Sequence, residues 1–173
     1  FDIAKGEIAW PTLASKEMMP TTHFSDDEKR LIMSGKESGV QIWNLETGQA
    51  FCDPIATQGK IDWTLGVAQS PFTLSADGRS LAVCTALPDE SMQVERFAIS
   101  GAAEALAPLV ISEKVTLARF HPTGSELMVA TNSQVRFFNP ATGEEVGDAI
   151  LQPDIQTARY SPDGRSIITA LSL

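Results

Sequence analysis

Residues 120–143 read FHPTGSELMVATNSQVRFFNPATG, a stretch in which short apolar runs alternate with tight turns. Pro122 and Gly124 predict a turn, because proline fixes φ and glycine tolerates positive φ. The run LMVA is typical of a strand that is buried on both faces, and VRFF predicts the next strand. With a lead-in strand over Val115–Phe120 and an outer strand over Val146–Leu151, the stretch predicts four short antiparallel strands.

The same unit recurs along the chain. Its first turn has four copies, which start about 40 to 50 residues apart, at Phe24, Leu74, Phe120 and Tyr160. Its third strand and closing turn have full copies at Val40–Gly48 and Val135–Gly143, a looser one at Val94–Gly101 and a truncated one at Phe1–Gly6. A lone sheet of this kind has two apolar faces, so we expect the copies to stack face to face.

The repeat resembles the WD-repeat β-propeller family. Tyr160–Gly164 reads YSPDG and matches the first half of a blade of that family, and Val40–Gly48 reads VQIWNLETG and matches the second half. The resemblance covers nearly the whole chain and implies an all-β propeller of four-stranded antiparallel blades. The long outer strands look most like bacterial arrays, which are often fused to signalling domains such as protein kinases.

The copies depart from the family's pattern in their side chains. The family's tryptophan is present only as Trp43, and phenylalanine replaces it at Phe1, Phe97 and Phe138. The aspartate that follows survives only as Asp2. The Asp–His–Ser/Thr–Trp network that the resemblance implies therefore cannot form completely. We expect a degenerate member of the family whose blades are held mainly by apolar packing.

The repeat predicts a single propeller domain or propeller segment over 1–173. Complete blades are expected at about 18–55, 67–111 and 115–151, and partial blades at 1–13 and 155–173. Within them, Ala50–Ile55 predicts an outer strand, Thr57–Gly66 a connection and Gly101–Ala107 an elongated loop. Two arrangements stay open. Strands from the two chain ends could complete one blade and close a four-blade ring, or the chain is an open arc that pairs with another copy or with further chain.

Composition limits the classes of partner and compartment. The net charge is −9 and the isoelectric point is near 4.6, which argues against nucleic acid and anionic membranes, because their binders need basic surfaces. No targeting segment and no apolar run of membrane-spanning length is visible. Cys52 and Cys84 do not indicate a disulfide and fit a reducing compartment. We therefore expect a cytoplasmic location.

The sequence predicts no catalytic residue, no cofactor and no metal site. His23 and His121 fall at turns of different blades, where we expect them to be solvated or locally bonded. Neither histidine has a cysteine at zinc-like spacing, and no nucleophile elbow or phosphate-binding loop occurs. The acidic pairs Asp26-Asp27 and Asp89-Glu90 are interpreted as charged turn tips.

The resemblance implies a non-enzymatic platform for protein or peptide partners, which bind at one end of the blades. That end carries the reversals between second and third strands and the connections into each first strand. Trp63 is the strongest candidate, because an aromatic side chain in a polar loop can anchor a partner, although it could instead fill the gap between blades. The remaining candidates are Lys36, Glu37, Lys60, Asp62, Asp89, Glu90, Glu113, Lys114, Asn132, Ser133 and Asp154. The alternatives are a sensor or assembly module within a larger signalling polypeptide and, third, a propeller hydrolase.

Overall fold

The computed structural model describes residue 6 and residues 21–25, 27–35, 39–62, 70–89 and 91–171. The described residues form an all-β structure of several antiparallel sheets and contain no helix. This confirms the predicted all-β class. The chain divides into two compact units, Phe1–Ala56 and Thr57–Leu173.

The first unit contains sheet I, in which β1 (Thr21–Phe24), β2 (Arg30–Gly35) and β3 (Gly39–Asn44) pair in sequence order. The predicted outer strand over 50–55 is wrong in extent. That segment pairs with β3 through isolated bridges, Trp43 with Ala50 and Val40 with Ile55, and it forms no continuous strand. Gly39 has a φ of +79°, and a Cβ there would collide with the carbonyl of Ile55, so this close approach requires glycine.

The second unit begins with sheet II, whose first-strand position is shared by two short strands. These are β4 (Lys60–Ile61) and β5 (Phe72–Leu74), and both pair with β6 (Ser80–Ala86), at its end and its beginning respectively. The interpretation of 57–66 purely as a connection is therefore wrong at Lys60 and Ile61. Backbone pairing with the end of β6 explains this strand, which is too short to leave a periodic pattern in the sequence.

Sheet II continues through β7 (Met92–Ile99) to β8 (Ala103–Ile111). The predicted loop at 101–107 is wrong, because β8 already begins at Ala103. Alanine and glutamate are poor strand formers, but β7 is long and pairs with β8 as far as Ile99 with Ala103. Pairing to a buried strand outweighs weak intrinsic propensity.

Sheet III contains β9 (Val115–Phe120), β10 (Leu127–Thr131), β11 (Gln134–Phe138) and β12 (Ile150–Leu151) in sequence order. The inner three strands confirm the predicted ones, and every residue of β10 is buried. The outer strand is shorter than the predicted 146–151, because Gly147 adopts a φ of +70° and interrupts the extended backbone. Sheet IV is the pair β13 (Ile155–Tyr160) and β14 (Ile167–Leu171).

Apolar contacts between sheets II, III and IV form the core of the second unit. One cluster joins β6, β7 and β8 to the inner strands of sheet III and includes Val94, Leu109 and Phe138. Phe138 is 4% exposed, which confirms its predicted core position. A second cluster on the other face of sheet III includes Met128, and Ala158 of sheet IV contributes to it. Sheets II and IV thus cover opposite faces of sheet III.

Among the described residues, one turn occurs four times with the same hydrogen bonds. The N–H of its first residue donates to the carbonyl five residues later, and the carbonyl of that first residue accepts from the N–H three residues later. The first residues of the four copies are Ser25, Ser75, His121 and Ser161. Where that first residue is serine, its hydroxyl donates to an aspartate two residues later, as from Ser75 to Asp77 at 2.6 Å. The fourth residue has positive φ in every copy, at Glu28, Gly78, Gly124 and Gly164.

Within the described ranges, a second turn occurs twice, after the third strands of sheets I and III. Asn44 Oδ1 accepts from the N–H groups of Glu46 and Thr47, and Asn139 Oδ1 accepts from Ala141 and Thr142 in the same way. Each turn closes with a glycine of positive φ, Gly48 and Gly143. Both asparagines therefore make local hydrogen bonds that close these turns.

Candidate functional site

Four of the predicted interaction residues lie outside the described residues: Trp63, Lys36, Glu37 and Glu90. The others are described, and they fall into two groups, at one end of sheet III and at the corresponding end of sheet II. Each group is built on the reversal between second and third strands and on the connection that enters the sheet.

At the end of sheet III, the carboxylate of Glu113 holds the reversal. It accepts hydrogen bonds from Ser133 Oγ at 2.6 Å, Thr131 Oγ1 at 2.7 Å and Gln134 Nε2 at 3.1 Å. The Ser133 and Thr131 hydroxyls hold the pKa of Glu113 below its usual value, because they stabilise the charged form. The connection before β9 and the reversal before β11 are thereby fixed to each other.

The same end brings three further predicted residues beside Glu113. Asn132 has an exposed side chain, and its carbonyl accepts from the N–H of Ile155 at 3.1 Å, so the exposed Asp154 lies next to it. Asp154 has a φ of +60°, which is unusual for a residue other than glycine. Lys114 is exposed and follows Glu113 in the chain. The structure therefore groups Glu113, Lys114, Asn132 and Asp154 as expected.

At the end of sheet II, a different glutamate performs the same task. Glu95, which is 4% exposed, accepts from Thr85 Oγ1 at 2.8 Å and from the N–H groups of Gln58 at 2.8 Å and Gly59 at 2.9 Å. These bonds satisfy a buried carboxylate with neutral donors. They also fix the backbone that presents Lys60, whose side chain is exposed.

Asp62 and Asp89 complete the second group. Asp62 is half-buried, and its N–H donates to the carbonyl of Cys84 at 3.1 Å. Asp89 is exposed at the tip between β6 and β7, where it accepts from the Ser91 hydroxyl at 2.6 Å and the Ser91 N–H at 3.1 Å. These bonds lower the pKa of Asp89. Its interpretation as a charged turn tip agrees with this geometry.

Thr85 and Thr131 occupy the same place, the last buried position of their sheet's second strand, and each hydroxyl donates to a glutamate. Sequence reasoning missed both threonines and Glu95. A signal was present, because Glu95 interrupts an otherwise strand-like segment and a threonine follows the apolar run in both copies. The chain separation of Thr131 and Glu113 differs from that of Thr85 and Glu95, so no fixed spacing identifies the pairs.

Sequence reasoning also missed Arg96, which is 3% exposed. Its guanidinium donates to the carbonyl of Ala107 at 2.6 and 3.1 Å and to the carbonyl of Pro140 at 2.7 Å, so it joins β8 to the closing turn of sheet III. Burial lowers the pKa of Arg96. A Cβ on Gly143 would collide with this guanidinium. Arg96 is a packing residue between two sheets.

A second candidate site is an open groove of about 460 Å³ between sheet III and the start of β14. Its apolar lining comes from Phe137, Val146, Ile150 and Ile167, and Tyr160 donates across it to Glu126 at 2.8 Å. Burial and the Glu126 carboxylate raise the pKa of Tyr160. Nothing in the sequence pattern predicted this groove.

His121 and His23 are the two histidines that the sequence placed at turns. His121 Nδ1 lies 2.7 Å from Thr123 Oγ1, and Nε2 lies 3.1 Å from the carbonyl of Gly164, so His121 is locally bonded as expected. His23 lies within β1 and also has an interaction. Cys52 and Cys84 are buried free thiols, and burial raises the pKa of Cys84 to about 12.

Among the described residues, no group of three or more His, Cys, Asp or Glu side chains could hold a metal ion. The described part of the chain also contains no helix of the length and apolarity needed to cross a membrane. No family model matches the chain, and no curated protein matches it.

Proposed function

We propose that this protein is a non-enzymatic protein–protein interaction platform built from stacked β-propeller blades of the WD-repeat type. The observation that carries the proposal is the repetition of two turns with identical hydrogen bonding, four copies of one and two of the other. Repeated turns at blade-like spacing support a repeat architecture. The stacking of sheets II, III and IV through apolar cores supports it further.

The interaction surface in this proposal is the end of sheets II and III that carries Lys60, Asp89, Lys114, Asn132 and Asp154. Their side chains are exposed, whereas the backbone beneath them is held by Glu95 and Glu113. A rigid backbone beneath free side chains favours binding, because little conformational entropy is lost when a partner docks. Trp63, in the insertion between β4 and β5, would supply the aromatic anchor.

The partner in this proposal is a protein or peptide, with another copy of the chain or further parts of a longer propeller included. The net charge of −9 disfavours nucleic acid and anionic membranes as partners. The second candidate is a sensor or assembly module of a bacterial signalling protein, such as a kinase-linked array. The exposed face of sheet IV favours it, because Ile168 there is 72% exposed and available to further chain.

Site-specific photo-crosslinking tests the platform. A photoreactive amino acid at Lys114 probes the proposed surface, and one at Pro162, an exposed turn residue at the other end of a sheet, is the matched control. In an extract of the source organism, we expect discrete protein adducts from position 114 and none from position 162. Equal adducts from the two positions would contradict the proposed surface.

Trp63→Ala tests the anchor. We expect the adduct at position 114 to fall about tenfold or more, as for loss of an aromatic hot-spot residue. The thermal unfolding midpoint should stay within about 2 °C of wild type. A lowered midpoint with an unchanged adduct would instead assign Trp63 to packing between blades.

A further inference from the structure

Two sheet contacts in the second unit have the same construction. In sheet III, Phe120, Leu127 and Phe138 lie side by side across β9, β10 and β11. All three are buried against sheet II, where Ala82 and Cys84 of β6 belong to the same apolar cluster. The aromatic row of one sheet thus covers alternate residues in the second strand of the preceding sheet.

Sheet IV covers sheet III in the same way. Tyr160 and Ile167 are paired across β13 and β14, and they pack against the cluster that contains Met128 and Ala130 of β10. Because the construction occurs twice, it defines two complementary surfaces. One is a covering row, which begins with an aromatic residue at the end of the first strand. The other is a receiving face, formed by alternate residues of the second strand.

Sheet IV itself has a receiving face, and this face is exposed. Ile168 and Ala170 of β14 have the register places that Met128 and Ala130 have in sheet III. Ile168 is 72% exposed and Ala170 is also exposed, whereas Met128 and Ala130 are fully buried. The surface that sheet III buries under sheet IV is therefore open to a partner on sheet IV.

Sheet I has a covering row, and this row is exposed too. Phe24, Leu31 and Trp43 lie side by side across β1, β2 and β3, in the same register as the row of sheet III. Phe24 is 67% exposed, and Leu31 and Trp43 are half-buried. On the opposite face of the sheet, Ile32 and Ile42 are buried. Sheet I therefore buries one face and offers its covering row on the other.

We infer that the covering row of sheet I in one copy of this chain packs on the receiving face of sheet IV in a second copy. The row and the face are both exposed within a single chain. Each matches a surface that finds its counterpart inside the second unit. The association is head-to-tail, because two different surfaces meet, so the copies close into a ring or extend into a chain.

Side chains at matched positions support this pairing. Tyr160 of the sheet IV row donates to Glu126, the last residue of the turn before β10 in the covered sheet. The row of sheet III begins with phenylalanine instead, and the matching residue of the sheet that it covers is Ser80. Sheet I brings Phe24, and sheet IV offers Ser166 in the matching place. The phenylalanine ring therefore meets a serine, and no carboxylate loses the hydroxyl of a tyrosine.

The two surfaces also carry opposite charges. Arg159 and Arg165 are exposed on sheet IV, in β13 and in the turn before β14, although the chain has a net charge of −9. At the contact of sheets III and IV, the carbonyl of Gly164 in the covering sheet lies 3.1 Å from Nε2 of His121 in the covered turn. In sheet I the turn place of Gly164 is taken by Glu28, which is exposed. The contact therefore brings an acidic side chain of sheet I to the turn of sheet IV that carries an arginine.

Charged substitutions at exposed positions of the full chain test the contact. Phe24→Glu places a charge in the covering row, and Ile168→Glu places one in the receiving face. Val110→Glu is the matched control, because Val110 is 70% exposed in β8 and belongs to neither surface. The molar mass of each protein is measured by light scattering over a concentration series at about 0.15 M salt.

We expect wild type and Val110→Glu to exceed the mass of one chain as the concentration rises. Phe24→Glu and Ile168→Glu should each associate about tenfold more weakly or not at all. An equimolar mixture of these two variants should associate again, because each retains the surface that the other has lost. The mixture should stop at the mass of two chains, since each pair has only one intact contact to make.

Four outcomes would overturn the inference. They are a wild-type mass of one chain at every concentration, unchanged association of Phe24→Glu or Ile168→Glu, an equal loss of association in Val110→Glu, and a mixture that stays at one chain. Circular dichroism identifies a variant that fails to fold. Phe24→Ala or Ile168→Ala then replaces that variant in the same series, with the same expected direction.

The inference rests on the stacked sheets of the proposed function and specifies a second copy as one partner, but it uses a different surface. The proposed platform lies at the end of sheets II and III and is tested by crosslinking from position 114. Discrete adducts from that position together with a wild-type mass of one chain would overturn the contact alone. The expected masses without such adducts would overturn the platform surface alone.

Discussion

Sheets III and IV place corresponding residues in the same register but in different surroundings. Met128 in β10 lies opposite Arg119, and Ile168 in β14 lies opposite Arg159. Met128 is fully buried because sheet IV covers it, whereas Ile168 is 72% exposed. The burial of a strand residue therefore depends on whether another sheet covers its face, as well as on the strand's own pattern.

The contrast continues at neighbouring positions of that face. Leu117 and Ala130 of sheet III are buried, and the corresponding Thr157 and Ala170 of sheet IV are partly or fully exposed. The leucine at 117 corresponds to a threonine at 157, but the methionine at 128 corresponds to the equally apolar isoleucine at 168. The face of sheet IV is thus less apolar than that of sheet III without being a polar surface, which fits a face that can be covered by a further element.

Truncation of Met128 and of the corresponding Ile168 to alanine should give the largest difference in unfolding free energy. Met128→Ala removes a buried side chain, and we expect it to lower the free energy of unfolding by about 2–5 kcal/mol. Ile168→Ala removes an exposed one, and we expect a change within about 0.5 kcal/mol at low protein concentration. Urea denaturation measures both. Equal losses would mean that sheet IV is covered in solution even by a single chain.

Alanine substitutions at the turn glycines should give a smaller difference in unfolding free energy between sheets III and IV. Gly124 and Gly164 both have positive φ, so alanine at either should cost about 1–2 kcal/mol through backbone strain. At Gly164 the added Cβ would also collide with the His121 ring, whereas at Gly124 the nearest atom is Ser75 Cβ at 3.7 Å. Urea denaturation should therefore show a larger loss of unfolding free energy for Gly164→Ala than for Gly124→Ala. The reverse order would indicate that His121 moves away without cost.

The smallest expected effect concerns acid sensitivity at the strand ends. Glu113 is bound to Thr131 in sheet III, whereas Leu171 occupies the corresponding place in sheet IV and cannot donate from its side chain. Folding lowers the pKa of Glu113 below its usual value of 4.5. The hydrogen bonds of its carboxylate therefore stabilise the fold fully at pH values above 4.5, and this contribution is lost as the pH falls through the pKa of the folded state.

Glu113→Gln should therefore show a smaller fall in unfolding midpoint between about pH 7 and pH 3 than wild type. Lys114→Gln, a neutral substitution at the exposed adjacent position, is the control for a general change in charge. Parallel acid profiles for wild type and Glu113→Gln would show that these hydrogen bonds are not coupled to folding.

Local features were predictable because they depend on a few consecutive residues. The turns at Ser161-Pro162-Asp163-Gly164 and Asn139–Gly143 follow from proline, glycine and short polar side chains, and the apolar run at Leu127 marks a buried strand. Strand extent was less predictable. The extension of β8 to Ala103 depends on backbone pairing with β7, and the interruption at Gly147 depends on a positive φ that a glycine permits but does not require.

The interaction end was predictable in outline but not in its internal bonds. Reversals and connections are identified from polar residues between strands, so Glu113, Asn132 and Asp154 were expected to lie together. Glu95 and Thr85 were not expected, because their contact joins residues of β6 and β7 to a distant connection at Gln58 and Gly59. The groove beside β14 is likewise made by two sheets.

The sequence by itself determined the all-β class, the positions of the recurring turns and the core position of Phe138, because backbone preference and apolar patterning act over a few residues. Only the tertiary structure decided which sheet faces are covered, which glutamate binds which threonine, and which of the described strands pair with one another. Those features arise from contacts between segments far apart in the chain, and short-range patterns carry little information about such contacts.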